Sequence, residues 1–476
     1  MVGMGLLQTT VAGVDSSTQS CKVVVCDADS GEILGHGRAP HPEGTEVAPA
    51  AWWDALRTAS AGLLDDVDAI AVAGQQQGLV PLDAAGVPVR DALLWNDVRS
   101  ADAAKELIAD LGGPRAWAEA VGSVPVAGTT VAKLRWLADH EPELADRTAH
   151  VVLPHDYLTW RLRGGEPGRM LAPTTDRGDA SGTGYWSPAD GGYREDLLAM
   201  AFRGRRPALP EVLGPDQPAG RTPSGALVAA GTGDNAGAAL GLGITDGDVV
   251  VSLGTSGTAY ARTDRPAADS TGAVAGFADA TGAFLPLVCT LNAARILTAT
   301  AHLLGVDLPT LESLAAQEPP GADGVVLLPY LTGERTPNLP HATGSLHGLR
   351  PEAMRPGTVA RAAFEGLLCH LADALDHLTK IGGMTPRRVL LIGGAARSRL
   401  VAAIAAQVFG VTVTVPEPAE YVALGAARQA AWALSGASRP PSWPACSVAE
   451  IPPPEDTATG REIRAEYRSA RQALYG

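Results

Sequence analysis

Cysteine, lysine and aromatic residues are all scarce in this chain. Of its 476 residues five are cysteine, four of the 37 basic residues are lysine, and aromatics make up 5%. Cys21, Cys26, Cys289, Cys369 and Cys446 form no Cys-x-x-Cys pair and no cluster with histidine. That argues for reduced thiols in a cytoplasmic protein. The chain contains no Gly-Lys dipeptide, so a Walker A loop is absent. No run approaches the roughly 18 apolar residues that a membrane span needs. The stretch Met1–Thr10 has neither a basic residue nor a long apolar run, so no signal peptide is expected. The net charge is −15 and no Lys/Arg cluster occurs. Nucleic acid and anionic membrane are therefore not expected as partners.

What remains is a chain rich in core-forming residues. Hydrophobic residues make up 46% and charged residues 19%, which excludes an intrinsically disordered chain. At roughly 100–200 residues per domain, the length predicts two to four domains. Val11–Val14, the polar turn from Asp15 to Ser20 and Cys21–Cys26 read as strand, turn and strand, and Glu32–Arg38 continues the meander. Asp248–Ser252, the turn Leu253–Gly257 and Thr258–Arg262 repeat the pattern. Thr255 follows Thr18 by 237 positions, almost half the chain. Helices are predicted over Ala50–Leu64, Thr129–His140, Asp234–Leu242 and Arg355–Ile381, and another running to Phe409. Strands are predicted at Asp68–Ala73, Ala226–Ala230 and Val389–Ile392. Two α/β halves, each opening with a β-meander, follow from this alternation. A boundary is expected near Gly241–Asp248, and surface loops over Arg203–Gly225 and Pro440–Pro454.

Several clusters carry chemistry. Gly231-Thr232-Gly233-Asp234-Asn235-Ala236 imitates a dinucleotide fingerprint, but a carboxylate in that turn would repel a pyrophosphate. Asp234 enters a helix, where an acid commonly caps. Gly231, Gly233 and Gly237 clear side chains around it, as a ligand would require. The two Gly/Ser/Thr-rich hairpin turns suit phosphates, because hydroxyls and backbone N–H groups converge there. Asp15 opens the first turn and could carry a metal ion. Lys22 leaves that turn as a strand lysine facing solvent. Gln75-Gln76-Gln77 and Trp95-Asn96-Asp97 offer amides, a carboxylate and an aromatic face, the groups a polyhydroxyl ligand needs. Each cluster alone reads more readily as a plain polar loop or hairpin turn.

In order along the chain, from about Val11 to Trp432, these pieces resemble the FGGY family of carbohydrate kinases. Gly128-x-Thr130-Val131-Ala132-Lys133-Leu134-Arg135-Trp136-Leu137-x-Asp139-His140 looks like its first signature. Gly344-x-Leu346-x-Gly348-Leu349 through Ala362-Ala363-Phe364-Glu365 resembles its second, except at Thr358. Leu328–Pro337, Leu94–Asp97 and Gly231–Asn235 are similar to segments of its pentulose kinases.

The resemblance implies two ribonuclease-H-like domains of the actin and sugar-kinase type with an interdomain active-site cleft. It places the N-terminal domain over 8–243 and the C-terminal domain over 244–476. It implies ATP-dependent phosphorylation of a pentulose, first of all D-xylulose at its 5-hydroxyl, with Mg²⁺. Another ketose or polyol, or a catalytically silent sugar or nucleotide sensor, are the alternatives. By match of motif, Asp234 would be the catalytic base, in its ionised form favoured by the helix start. Asp15 would hold the metal. Gln76, Gln77, Trp95, Asn96, Asp97 and Asn235 would join Asp234 in contacting the sugar. Thr18, Gln19, Gly254, Thr255 and Ser256 would contact phosphates. Gly393, Gly394, Ala395, Arg397 and Ser398 would form the adenine-side loop. A homodimer is compatible with the resemblance. The sequence departs from the pattern at Ser17, where the first turn usually has glycine, and at Gln77, where histidine is typical of xylulose kinases.

Overall fold

The computed structural model describes residues 8–444 and 448–475. Cys446 and the segment 1–7 lie outside the described residues. Cys21, Cys26 and Cys369 are buried free thiols, as the reduced-thiol reading expects.

The chain forms two compact units. The first holds residues up to Gly243 together with Asp264–Leu285 and the stretch from Ala419 to residue 444. The second holds Ile244–Thr263, Pro286–Pro418 and the chain from residue 448 onward. The apolar runs of the first unit become a mixed sheet. Thr10–Ser16, Ser20–Asp27 and Ile33–Pro40 are an antiparallel meander. On the other side of Thr10–Ser16, Ala69–Gly74 and then Leu227–Ala229 pair in parallel, and Pro218–Arg221 closes the edge antiparallel.

The second unit builds the same series of pairings. Asp248–Leu253 pairs antiparallel with Gly257–Ala261, which pairs antiparallel with Phe284–Thr290. Arg388–Ile392 and Thr412–Pro416 follow in parallel, with Val448–Ile451 antiparallel at the edge. Strand order and sense agree position by position. The hairpin repeat at half the chain length is thus the visible trace of two equivalent sheets. Arg203–Gly225 and Pro440–Pro454, expected to be loops, each contribute an edge strand instead.

Val14, Ile70, Val72 and Val228 point from the first sheet into a core with Trp52 and Leu56 of helix Pro49–Ala59. Each such side chain contributes about 1.5–3 kcal/mol by leaving water. On the other face lies helix Tyr421–Ser435, brought back from the far end of the sequence. Its approach depends on missing side chains. A Cβ at Gly13 would lie 1.9 Å from the Ala423 carbonyl oxygen, and one at Gly425 would lie 1.8 Å from that of Gly237. Among the described residues no helix is long and apolar enough to cross a membrane.

Candidate active site

In the first unit the predicted polar residues gather where three neighbouring strands end. Asp15 stands opposite Ala73 and Ser16 opposite Gly74, and Thr232 and Gly233 extend beside the same two residues. Asp15, the Gln75–Gln77 turn and Asp234 therefore emerge at one carboxyl edge, where open α/β sheets bind ligands. Gln75 donates its backbone N–H to the Ser16 carbonyl, at 3.1 Å.

Helix Asp234–Leu242 begins as predicted, but its N-cap is Gly233 and Asp234 is the first helical residue. Asp234 Oδ1 accepts from the Asn235 backbone N–H and from Asn235 Nδ2, both at 2.7 Å. Asn235 Nδ2 also reaches Gln76 Oε1 at 3.4 Å, and Gln76 Nε2 donates to the Gly178 carbonyl at 3.3 Å. One polar chain thus links the proposed base to the proposed sugar turn. The surrounding glycines serve the protein's own packing. A Cβ at Gly233 would meet the Gln76 side chain at 2.6 Å, and one at Gly237 would crowd Ala73 and Val422.

The charge state of Asp234 differs from the sequence expectation. Burial pushes its carboxyl up to about 7, and the Asp15 charge pushes in the same direction. These outweigh the helix start and the Asn235 bonds. Asp15 is 1% exposed. It accepts from Ser17 Oγ on one oxygen and from Lys22 Nζ on the other, at 3.3 Å. Burial raises its carboxyl too, against the pull of Lys22. Lys22 does not simply face solvent: it faces Asp15 across the hairpin and pairs with both Asp15 and Glu420. Asp15 and Asp234 stand at one strand edge and the Asp15 charge raises the Asp234 carboxyl, an arrangement that a divalent cation would relieve, so the residues present fit Mg²⁺.

The first turn closes through Ser17 N–H to the Ser20 carbonyl at 3.2 Å. Ser17 is not among the residues with positive φ, which is why serine can replace glycine here. Thr18 Oγ1 accepts from Trp95 Nε1 at 2.8 Å, while Gln19 is exposed. The structure therefore joins the first hairpin turn to the Trp95 loop, which the sequence treated separately. Asn96 Oδ1 is buried without a partner among the described residues. Asp97 is already engaged by Arg99 on one oxygen and Thr45 on the other. Burial raises its carboxyl, but those bonds outweigh it and hold it below the usual range.

Beneath this edge lies a cluster that the sequence reading missed. His155, on helix Pro154–Leu162, is fully buried with Asp156 and Asp179. Its Nδ1 is 2.7 Å from Asp156 and its Nε2 is 3.0 Å from Asp176. Asp176 caps the short helix Arg177–Ser181 through the N–H groups of Gly178 and Asp179. Burial disfavours the imidazolium, but Asp156, Asp179 and Asp176 outweigh that and hold its pKa well above the ordinary value. Burial, with the neighbouring acids and Asp234, raises the Asp179 carboxyl well above its ordinary value although His155 opposes. His155, Asp156 and Asp179 also converge closely enough to hold a metal. The protonated imidazole already supplies the counter-charge, so we read the cluster as an ion network.

In the second unit, Gly254, Thr255, Gly394, Ala395, Arg397 and Ser398 line one cavity of about 590 Å³. The carbonyls of Gly254 and Thr255 are tied to the N–H groups of Ala294 and Ala293. Ser256 and Gly393 flank the cavity in sequence without lining it. Gly393, at φ +94°, is the N-cap of the turn Gly394–Arg397. Ser398 caps helix Arg399–Phe409 by accepting from Val401 N–H at 3.1 Å. The apolar wall comes from Leu297, Leu308, Pro309 and Phe364, none marked by the sequence as binding residues. Arg295, also missed, donates to the Thr255 carbonyl at 3.3 Å and to Thr332 Oγ1 at 3.0 Å. It places a cation beside the glycine-rich turn.

In the first unit a polar strand edge carries a carboxyl with a pKa near neutrality, which suits a polyol hydroxyl, and in the second unit a cavity with a glycine-rich turn suits a phosphate ester. Comparison with known proteins agrees. The profile of the FGGY family of carbohydrate kinases, N-terminal domain, matches residues 10–248, and that of the C-terminal domain matches 249–434. The xylulose kinase of Streptomyces coelicolor is 50% identical over 442 residues, covering 90% of this chain and 88% of that protein. The Escherichia coli xylulose kinase is 35% identical, covering 81% of this chain and 82% of that protein. The crystal structure of xylulose kinase from Bifidobacterium adolescentis superposes with a TM-score of 0.90 at 45% identity, covering 98% of this chain and all of that one. Fold and both halves of the sequence agree, and the chain belongs to the FGGY family of carbohydrate kinases, with that family's actin and sugar-kinase type of fold.

Proposed function

We propose that this chain transfers the γ-phosphoryl group of ATP to the 5-hydroxyl of D-xylulose, giving D-xylulose 5-phosphate and ADP in the cytoplasm. The observation that carries the chemistry is Asp234, a half-buried carboxyl at the carboxyl edge of the first sheet, tied to Asn235 and through it to Gln76, with a pKa raised to about 7. The substrate rests on the xylulose kinases to which the chain is 50% and 35% identical. In this reading residues 8–243 carry the sugar, the first phosphate turn and the base. Residues 244–476 carry the second phosphate turn and the adenine loop.

The sugar oxygen attacks the γ-phosphorus, the bond from that phosphorus to the β,γ-bridging oxygen breaks, and the hydroxyl proton passes to Asp234. The transition state is loose, so the hydroxyl becomes acidic only as the new bond forms. A carboxylate poised near neutrality suffices as acceptor. Gln76 and Asn235 hold that carboxylate's neighbourhood, and Gln77, Asn96 and the Trp95 ring orient the sugar. Thr18, Gln19 and the Gly254–Ser256 turn steady the phosphates. The Gly393–Ser398 loop and the apolar wall at Phe364 receive the base. Asp15 would hold Mg²⁺, which supplies charge neutralisation on the phosphate oxygens.

Replacing Asp15 tests the metal role. Asp15→Ala is expected to raise the Mg²⁺ concentration needed for half-maximal rate and to lower turnover, with sugar KM unchanged. Unchanged Mg²⁺ dependence with normal turnover would reduce Asp15 to a turn residue.

A coupled ADP-release assay over D-xylulose, D-ribulose and L-ribulose tests the substrate. D-Xylulose should give the highest kcat/KM. Another ketose ranking first would move the assignment within the family, and no ketose-dependent ADP release would favour a sensor. Gln77→Ala should raise KM for the true substrate roughly 5–100-fold, because a stranded polar group costs about 1–3 kcal/mol. If KM and ranking both stay as in the wild type, Gln77 is not a sugar contact.

A further inference from the structure

Lys133 is a lysine with no exposed surface, on the first turn of helix Thr130–His140. Among the described residues its ammonium meets no carboxylate in a hydrogen bond. It donates instead to two backbone carbonyls, that of Gln77 at 2.8 Å and that of Gly128. Three positions earlier, on the same face of the helix, Thr130 Oγ1 donates to the Gly78 carbonyl at 3.2 Å. One helical turn thus grips the backbone at Gln77, Gly78 and Gly128.

Gln77 needs such a grip. It has φ +64°, in the left-handed region that L side chains avoid. An amide side chain held there persists only when its surroundings over-determine it. The side chain runs past two glycines. A Cβ at Gly182 would lie 3.3 Å from Gln77 Cγ, and one at Gly128 would lie 3.7 Å from Gln77 Oε1 and 2.3 Å from the Trp95 carbonyl oxygen. Gly128, a ligand of the Lys133 amine through its carbonyl, therefore abuts both Gln77 and the Trp95 loop.

We infer that Lys133 is a positioning residue for the sugar: by holding the Gln77 and Gly128 carbonyls it fixes Gln77 in its left-handed conformation and so sets which ketose hydroxyl the Gln77 amide can reach. The inference rests on the reading of Gln77 as a sugar contact. Burial pushes the Lys133 ammonium down to about 7 against the pull of Asp97. The grip survives that shift, since a neutral amine keeps two N–H donors for its two carbonyls.

The test compares Lys133→Met, Gln77→Ala and the double variant in steady-state kinetics with D-xylulose, D-ribulose and ATP. Lys133→Met should raise the D-xylulose KM by roughly tenfold or more and compress the preference for D-xylulose over D-ribulose, with ATP KM within about twofold. The double variant should be no worse than the more impaired single, because both remove one coupled element. Thr130→Val, a milder change on the same turn, should move sugar KM the same way by roughly 2–5-fold, which keeps the test alive if Lys133→Met does not fold. Unchanged sugar KM and ranking in Lys133→Met or Thr130→Val, with only a lower melting temperature, would overturn the inference. So would effects that multiply in the double variant, since Lys133 would then act without Gln77. A failure of the Gln77 reading itself is separately visible: Gln77→Ala alone would leave sugar KM unchanged, and the inference would fall with it.

Discussion

Asp234→Asn is expected to lower turnover by about 10²–10⁴-fold, the usual contribution of a positioned general base, while ATP still binds. Asparagine keeps an oxygen to accept from Asn235 but cannot take a proton. Because the Asp234 carboxyl titrates near 7, the wild-type kcat/KM should fall about tenfold per pH unit below that value. Stability should move in the opposite sense. The folded pKa is raised above the ordinary carboxyl value of 3.8. Stability from this group is thus fully present below about pH 4 and lost as pH rises through about 7. Asp234→Asn carries no such loss, so it should melt higher than the wild type at pH 8, with the gap closing toward pH 5. Thermal melts at the two pH values, beside a single-turnover assay, check both halves. A variant that retains more than about a tenth of wild-type turnover is not missing a general base.

His155→Leu should produce the largest loss of stability. It leaves Asp156 and Asp176 buried without the cation they share. Removing one partner of a buried ion pair typically costs about 3–5 kcal/mol. Its damage should extend to the sugar turn, since Asp176 caps the helix whose Gly178 carbonyl holds Gln76. The His155 pKa lies well above 6.5 in the fold. Its contribution to stability is therefore complete below about pH 6.5 and is lost as pH rises through the folded value. Urea unfolding at pH 6 and pH 9 should show the wild type losing part of its advantage over His155→Leu at the higher pH. An advantage that is small at both values would remove the ion network from the account of this fold.

Local pattern carried much of this structure. Asp234–Leu242 is a helix with the bounds its apolar spacing and flanking glycines suggest, and both hairpin turns lie where Gly, Ser and Thr interrupt β-branched runs. Long-range proximity was not readable in the same way. Lys133 meets Gln77 across 56 positions, and His155 meets Asp176 across 21. In sequence a lone lysine or histidine on a helix looks like a surface residue. The Asp234 pKa was misjudged for a related reason. The helix start is written in the sequence, but the burial and the Asp15 charge that outweigh it come from strands far away along the chain. Nor could chain order show that the stretch from Ala419 to residue 444 rejoins the first unit. The glycines at 13, 237, 241 and 425, small enough for the backbones to touch, carry its trace.

The central claim is transfer of a phosphoryl group to a specific sugar oxygen through Asp234. Phosphorus-31 NMR of wild-type protein with ATP, Mg²⁺ and D-xylulose addresses it directly. We expect a new phosphomonoester resonance coupled to the two C5 protons, growing in step with ADP and absent on the same timescale with Asp234→Asn. A monoester at any other carbon, free phosphate alone, or an unchanged rate with Asp234→Asn would contradict it.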